Sequence, residues 1–345
     1  MSQNPYKYTG PLDPAKNNIV CVPRIEEVNK VITGITRGDY IAVLGPKYIG
    51  KTTFLNLIKN KFTNAYYIYF DFNVSHLNEE NFYRRLANRF LDEIPPGEMR
   101  IALADWKDDS PAFHFFDFLR KFHTEDDTKK IVLLFDEIER FPSLSTFLHV
   151  WRKVYHKRYH RKELNKYAVI VAASVDLIKL TVGPNSPFNI ADIIYMKDFS
   201  DDESRKLIDE PFYQLNIEIE RNAKEKLLSQ ISGHPQLLQH ACHILADTAR
   251  VSNKTITEKD VDKAIEILFS ANSSIETILY EIKKNDRFKN LLQDIISSKK
   301  RKYHPNKEFS MLGAGSIVER DSYCAIRNKV YEEFIKKIVV EKKGI

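Results

Sequence analysis

Cysteine is scarce in this chain of 345 residues: Cys21, Cys242 and Cys324 are its three, far apart and without a C-x-x-C pair. That argues against a disulfide framework and for a reducing compartment. No apolar run approaches the ~18 residues that a membrane-spanning helix needs, so no membrane partner is expected. The opening "MSQNPYKYTG" lacks the apolar stretch of a secretory signal, and a cytoplasmic location is expected. Internal repeats and long low-complexity tracts are also missing. What remains has the make-up of an ordinary soluble protein, 43% apolar and 29% charged, long enough for two or three packed units.

Charge is distributed unevenly. The net charge is +6, yet Lys283 to the end alone carries 16 Lys/Arg against 8 Asp/Glu. A second basic cluster, "RKVYHKRYHRKELNK" at 152–166, holds seven Lys/Arg and two His against one Glu. Such patches either meet nucleic acid or an acidic protein, or are solvated helix faces.

Five short apolar runs read as buried strands: "YIAVLG" (40–45), "AYYIYFDF" (65–72), "IVLLFD" (131–136), "AVIVAAS" (168–174) and "DIIYM" (192–196). Helix-patterned segments separate them, and this alternation predicts an α/β fold with a mostly parallel sheet covered on both faces. After about Ser200 the pattern becomes a series of capped amphipathic helices. The last seventy or so residues mix helices with a hairpin predicted near "GSIVERDSYCAIRN". "SSKKRKYHPNKE" (297–308) reads as an exposed loop.

The first strand runs into Gly45-Pro46-Lys47-Tyr48-Ile49-Gly50-Lys51-Thr52-Thr53, which fits G-x-x-x-x-G-K-[ST]. Glycines let the backbone turn so that successive N–H groups face phosphate oxygens, and the helix that follows adds the positive end of its dipole. Lys51 would reach the β- and γ-phosphates, and Thr52 would hold Mg²⁺ through its hydroxyl. The strand of "KKIVLLFDEIERF" ends in Asp136-Glu137. Asp136 would complete the Mg²⁺ shell, usually through water, and Glu137 would orient a water for attack on the γ-phosphate. No N-K-x-D guanine-reading motif occurs, so ATP/ADP is the expected nucleotide. Ser174, at the end of a further strand and followed by Asp176, would either sense the γ-phosphate or satisfy its own turn.

Other clusters read more plainly. His240, Cys242 and His243 lie close together, but Asp247 is the one carboxylate near enough to join a metal, so helix packing is the better reading. "PAFHFFDFL" (111–119) is apolar at helical spacing and reads as core.

Four stretches carry a resemblance: "IVCVPRIEEVNKVI", "GPKYIGKTTFLNLI", "NSPFNIADIIYMKDFSDDESRKL" and "ISGHPQLLQHACHILAD". Together with the tail "LGAGSIVERDSYCAIRNKVYEEFI", they make the chain resemble the AAA-like domain family of STAND-type P-loop ATPases, relatives of the AAA+ proteins, from about Tyr8 to Val340. The resemblance implies a core with an N-terminal extension (1–200), a helical lid (201–275) and a winged-helix-like domain (276–345). It places Arg24 near the nucleotide, and Gly233, His234 and Pro235 at a lid helix against the base and ribose. The tail's Arg327 and Asn328 would face the nucleotide or fix the winged helix. It further implies a switch for signalling or antiviral defence, working with a separately encoded sensor or effector and able to form a nucleotide-dependent oligomer. The alternative is a nucleic-acid-binding AAA+ ATPase using residues 152–166 and 299–302 with a basic winged helix.

Overall fold

Runs of β-branched and aromatic residues form the central strands here because parallel strands in the middle of a sheet are buried on both faces and need no polar alternation. The computed structural model describes residues 3–73, 79–100, 111–174, 189–252, 255–303 and 315–340. Asp176, the Ser186-Pro187-Phe188 part of the S-P-F-N stretch and residues 304–314 lie outside the described residues. In chain order the elements are α1 (Ile25–Arg37), β1 (Tyr40–Leu44), α2 (Lys51–Lys61), β2 (Ala65–Asp71), α3 (Glu79–Glu93), β3 (Met99–Arg100), α4 (Pro111–Lys121), β4 (His123–Thr124), β5 (Lys130–Asp136), α5 (Leu144–Lys157), β6 (Tyr167–Ala173) and β7 (Ala191–Tyr195). They continue with α6 (Asp201–Gln214), α7 (Arg221–Ile231), α8 (Pro235–Ser252), α9 (Glu258–Ala271), α10 (Ser273–Lys284), α11 (Asp286–Ile296), β8 (Ile317–Arg320), β9 (Tyr323–Ile326) and α12 (Lys329–Val340).

The chain groups into two units. One comprises Pro23–Leu44 and Phe54–Met196; the other comprises Met1–Val22, Gly45–Thr53 and Lys197–Ile345.

The first unit is built on a five-stranded sheet of order β2-β5-β6-β1-β7, all pairs parallel. Alternate residues divide its faces. Ile41 and Val43 face α1, where Gly34 leaves room: a Cβ added there would lie 2.8 Å from Ile41 Cδ1. Tyr67, on the same side of β2, donates to the Phe62 carbonyl just past α2 at 2.6 Å. The other face joins α3, α4 and α5 in an aromatic-rich core that includes Phe70, Phe82, Phe135, Phe147 and Trp151. Phe135 lies edge-on to Phe147 at 4.9 Å and tilted against Trp151 at 5.7 Å. Each fully buried ring stabilises the fold by about 1.5–3 kcal/mol. The run at 111–119 is helical in α4 and buries Phe115, Phe116 and Phe118 in this core. Register places Asp71, Asp136, Ala172 and Val43 side by side at the carboxyl edge of the sheet. That is the edge where parallel sheets bind ligands.

In the second unit, α6 starts in a capping box between Ser200 and Glu203, and α9 in one between Thr257 and Asp260. Helix α8 packs with α6 and α9; α12 packs with α7, α11 and the β8–β9 hairpin. The N-terminal residues are tied in by polar contacts. Tyr6 Oη donates to the Leu207 carbonyl at 2.9 Å, Gln239 Nε2 donates to the Val20 carbonyl at 2.6 Å, and the Tyr8 ring stacks on His240 at 3.7 Å.

Candidate functional site

The loop from Gly45 to Gly50 leaves β1 and enters α2 directly, as the strand-loop-helix pattern requires. Two of its residues have positive φ, Tyr48 at 64° and Gly50 at 93°. Glycine adopts this region freely, whereas tyrosine there costs about 1 kcal/mol or more. Ile49 is buried and anchors the loop; Pro46 and Tyr48 are half-buried, and Lys47 is exposed. Lys51 Nζ donates to the carbonyls of Gly45 and Pro46, each at 3.0 Å, so its ammonium is held beneath the loop's own backbone. Thr52 follows on the first turn of α2, and Thr53 Oγ1 accepts from the Leu12 N–H at 3.1 Å.

Asp136 ends β5, one strand removed from β1. Its Oδ1 accepts the Glu137 N–H at 3.0 Å and its Oδ2 the Tyr69 hydroxyl at 3.2 Å, so the carboxylate is oriented from two sides. Glu137 sits in the left-handed region at φ 53° and starts a single helical turn. Its Oε2 is buried and has no directed hydrogen bond, though Arg140 Nε pairs with it ionically at 2.5 Å. Burial pushes the Glu137 carboxyl above its usual range; Arg140 opposes this, and Asp71, Asp136 and Glu139 reinforce it. Arg140 Nη1 also donates to Asn73 Oδ1 at 2.6 Å, just past β2. Ser174 is buried, and its N–H donates to Glu139 Oε1 at 3.0 Å. Asn73 and Glu139 were not legible as partners of this acidic pair, and Arg140 was readable only as one of two arginines, with Arg152, that could serve as a finger. The one available signal was a basic residue three positions after Glu137, the spacing that faces it across a turn. Arg24 is buried ahead of α1 with φ 43°, a second non-glycine residue of the sheet unit in the left-handed region.

The G-H-P segment gains a physical explanation. A Cβ on Gly233 would lie 2.1 Å from the Phe199 carbonyl oxygen, and Phe199 N donates to the Gly233 carbonyl at 2.9 Å. Only glycine allows the two chain segments to meet this closely. Pro235 is the first residue of α8, where a missing N–H costs nothing. His234 is fully buried. Its Nδ1 accepts the Leu237 N–H at 3.3 Å, so the neutral ring carries its proton on Nε2 and donates it to Tyr331 Oη at 2.7 Å. Burial, with the nearby Arg327 charge, holds the imidazole well below its usual pKa, which fits this neutral tautomer. Arg327 pairs with Asp198, donating through Nε at 2.8 Å, and its Nη1 donates to the Gly315 carbonyl at 3.1 Å. Asn328 Oδ1 caps α12 by accepting the Tyr331 N–H at 2.9 Å. These contacts tie Arg327 to Asp198 and the Gly315 turn, and Asn328 to the start of α12.

The remaining clusters are drawn into packing. His240 Nδ1 contacts Asn272 Nδ2 at 3.0 Å beneath Tyr8, and His243 Nδ1 contacts the Tyr6 carbonyl at 3.0 Å. In the basic cluster at 152–166, Arg158 bonds the Gly38 carbonyl at 2.5 Å and stacks on Tyr155. Among 299–302, Lys299 and Arg301 both pair with Asp294, and Lys300 lies over Tyr323.

A parallel sheet whose first strand runs into a G-x-x-x-x-G-K-T loop, with an acidic pair at the end of a strand one removed, defines the P-loop NTPase class. Comparison with known proteins agrees. The chain matches the model of the AAA-like domain over residues 15–337 and belongs to that family of nucleotide-binding ATPases. A search of the curated proteins finds no match. Among solved structures it is similar to a Walker-type ATPase of Pyrococcus abyssi, with TM-score 0.66 and 16% identity, over 95% of this chain and 99% of that one. It is also similar to a form of RuvB from Thermotoga maritima, with TM-score 0.51 and 14% identity over 93% and 97% of the two chains. Cdc6p from Pyrobaculum aerophilum gives 0.50 and 12% over 92% and 94%. At these identities the likeness is one of fold. Among the described residues, no helix is long and apolar enough to cross a membrane.

Proposed function

We propose that this ATPase is a STAND-type switch, which binds ATP, hydrolyses it slowly and signals through movement of its helical and C-terminal parts. The observation that carries this reading is that the phosphate loop belongs to the same unit as α6–α12 and is bonded to α10 through Tyr48 and Thr277 at 2.7 Å. A ligand entering that loop therefore acts on a segment already bonded to the C-terminal half. A switch needs such a differential contact, and the γ-phosphate supplies it.

The donor set fits Mg–ATP. Thr52 and Asp136 offer hard oxygen ligands of the kind Mg²⁺ takes, and the loop with the start of α2 offers N–H groups and one ammonium for phosphates. Bound Mg²⁺ would neutralise charge on the β- and γ-phosphates. The chain's own residues do the rest. Gly45 to Thr53 bind the phosphates, Lys51 exchanging its two carbonyls for phosphate oxygens. Asp136, which accepts the Tyr69 hydroxyl, would hold the metal when it is bound. Glu137 orients the attacking water, and Ser174 lies at the end of β6, where a sensor of the γ-phosphate would stand. Arg24, His234 and Pro235 are assigned toward the base and ribose by family resemblance. The C-terminal hairpin and helices are read as a winged helix, and the partner as a separate sensor or effector protein. Nucleic acid is the second reading: Arg158 is bonded within the fold, whereas Lys299 and Arg301 pair with Asp294 at the surface while 71% and 57% exposed.

The test is titration of a fluorescent ATP analogue, with phosphate release followed in parallel. Lys51→Ala is expected to lose binding. Glu137→Gln is expected to keep binding and lose hydrolysis by about 100-fold or more. Equal ATP affinity in Lys51→Ala and the parent would end this reading.

A further inference from the structure

Tyr48 occupies the middle of the phosphate loop, where its backbone N–H is one of those that would meet phosphate. Its left-handed backbone, at φ 64°, is unfavourable for a side chain of this size and persists only where the surroundings hold it. The hold comes from outside the loop. Tyr48 Oη and Thr277 Oγ1 are 2.7 Å apart, and Thr277 is on α10. Thr277 gives its single hydroxyl proton to the Ser273 carbonyl at 2.9 Å, so Tyr48 is the donor in the bond between them.

A second contact lies alongside. Gly315 has φ 73°, and a Cβ there would lie 3.2 Å from Pro46 Cβ and 3.5 Å from the Lys47 carbonyl oxygen. The Gly315 carbonyl is in turn held by Arg327, which is clamped to Asp198. The phosphate loop is thus fastened at Tyr48 to α10, and packed at Pro46 and Lys47 against the turn that precedes β8. In this fastened arrangement the Lys51 ammonium is spent on the Gly45 and Pro46 carbonyls.

We infer that Tyr48 is a positioning residue that couples the shape of the phosphate loop to the docking of α10 and the Gly315 turn, so that triphosphate binding and this docking oppose each other. The inference rests on the nucleotide reading above and names the contact through which that switch is set. Reciprocity fixes its signature: whatever the docked helix costs triphosphate affinity, triphosphate costs the docking by the same factor. A single neutral hydrogen bond sets the scale at about fivefold. Tyr48→Phe is the gentle variant, because Thr277 keeps its bond to Ser273 and no buried donor is stranded.

The experiment combines titration of a fluorescent non-hydrolysable ATP analogue with amide hydrogen exchange of α10, on the full chain. In the parent, saturating analogue with Mg²⁺ should speed exchange in 273–284. Tyr48→Phe should bind the analogue about fivefold more tightly and show fast α10 exchange without it. Thr277→Val should behave the same way, and the double variant should add nothing to either single one. Unchanged or weaker binding in Tyr48→Phe, or α10 exchange that still answers to the analogue as in the parent, overturns the inference. Should the parent itself fail to bind, or Lys51→Ala bind equally well, the nucleotide reading has failed instead.

Discussion

Both units bury an apolar core, but they differ in what joins their elements. The sheet unit is closed by rings and β-branched side chains, with Phe82, Phe135, Phe147 and Trp151 fully buried at the centre of its core. The unit holding the phosphate loop and the C-terminal half depends at its joints on aimed polar contacts: Tyr48 with Thr277, His234 with Tyr331, Arg327 with Asp198, Gln239 with the Val20 carbonyl. Apolar burial is non-directional and resists change in proportion to area. A hydrogen bond or ion pair is worth little when solvated and much when one partner is stranded. The joints of the second unit should therefore respond more sharply to the loss of a single polar partner than those of the first.

Variants should separate the two. Trp151→Ala should carry the largest effect, about 3–5 kcal/mol of stability from the cavity and lost burial. Denaturant unfolding should show it as a lower midpoint for the sheet unit. Asp198→Ala strands the Arg327 guanidinium, whose side chain is 3% exposed, and should cost about 3 kcal/mol. Hydrogen exchange should place that loss in α12 and the β8–β9 hairpin and leave β1, β5 and β6 protected. Equal loosening of both units would break the contrast. Glu137→Gln keeps the side chain's size and removes a half-buried charge held against Arg140, and should change stability by no more than about 1 kcal/mol while removing most hydrolysis.

A further contrast concerns pH. Lys166, in the sheet unit, is held down to about 8 by burial and donates to the Phe122 carbonyl. The folded state thus binds fewer protons than the unfolded one between pH 8 and about 10.4. Stability should rise with pH across that window, and the burial cost is complete below pH 8. Lys166→Met should flatten the rise and stabilise at pH 7 by about 1 kcal/mol, allowing for screening by water. Thermal melts at pH 7 and pH 10 would show it.

Much of the sheet unit could be read in advance. The five apolar runs coincide with β2, β5, β6, β1 and β7 to within a residue or two at either end; in β1, β5 and β6 burial on both faces leaves a continuous signal, while the edge strands β2 and β7 are only partly buried. The helices after Ser200 were marked by their caps, and the hairpin by its turn. The order of the strands was not readable, since parallel pairing is decided by distant crossovers rather than by neighbours in sequence. The two-residue pair β3–β4 is too short to carry a pattern. In the site, Gly45 to Thr52 and Asp136-Glu137 were legible because each residue type has a chemical task. Asn73, Glu139 and the partner of Tyr48 were not, and Arg140 was no more than a candidate finger beside Arg152, because their contacts come from side chains that the fold brings together.

The contacts of Tyr6, Tyr8, Leu12 and Val20 bear on how the ATPase can be cut down. A shortened chain beginning at Pro23 would keep every strand of the sheet and look like a sensible minimal fragment. It would also leave the Thr53 hydroxyl without the Leu12 amide, the Gln239 side chain without a carbonyl, and one face of the His240 imidazole bare. The leader that seems dispensable backs both the phosphate loop's helix and the longest helix of the other half, so trimming it would loosen the grip on nucleotide from behind.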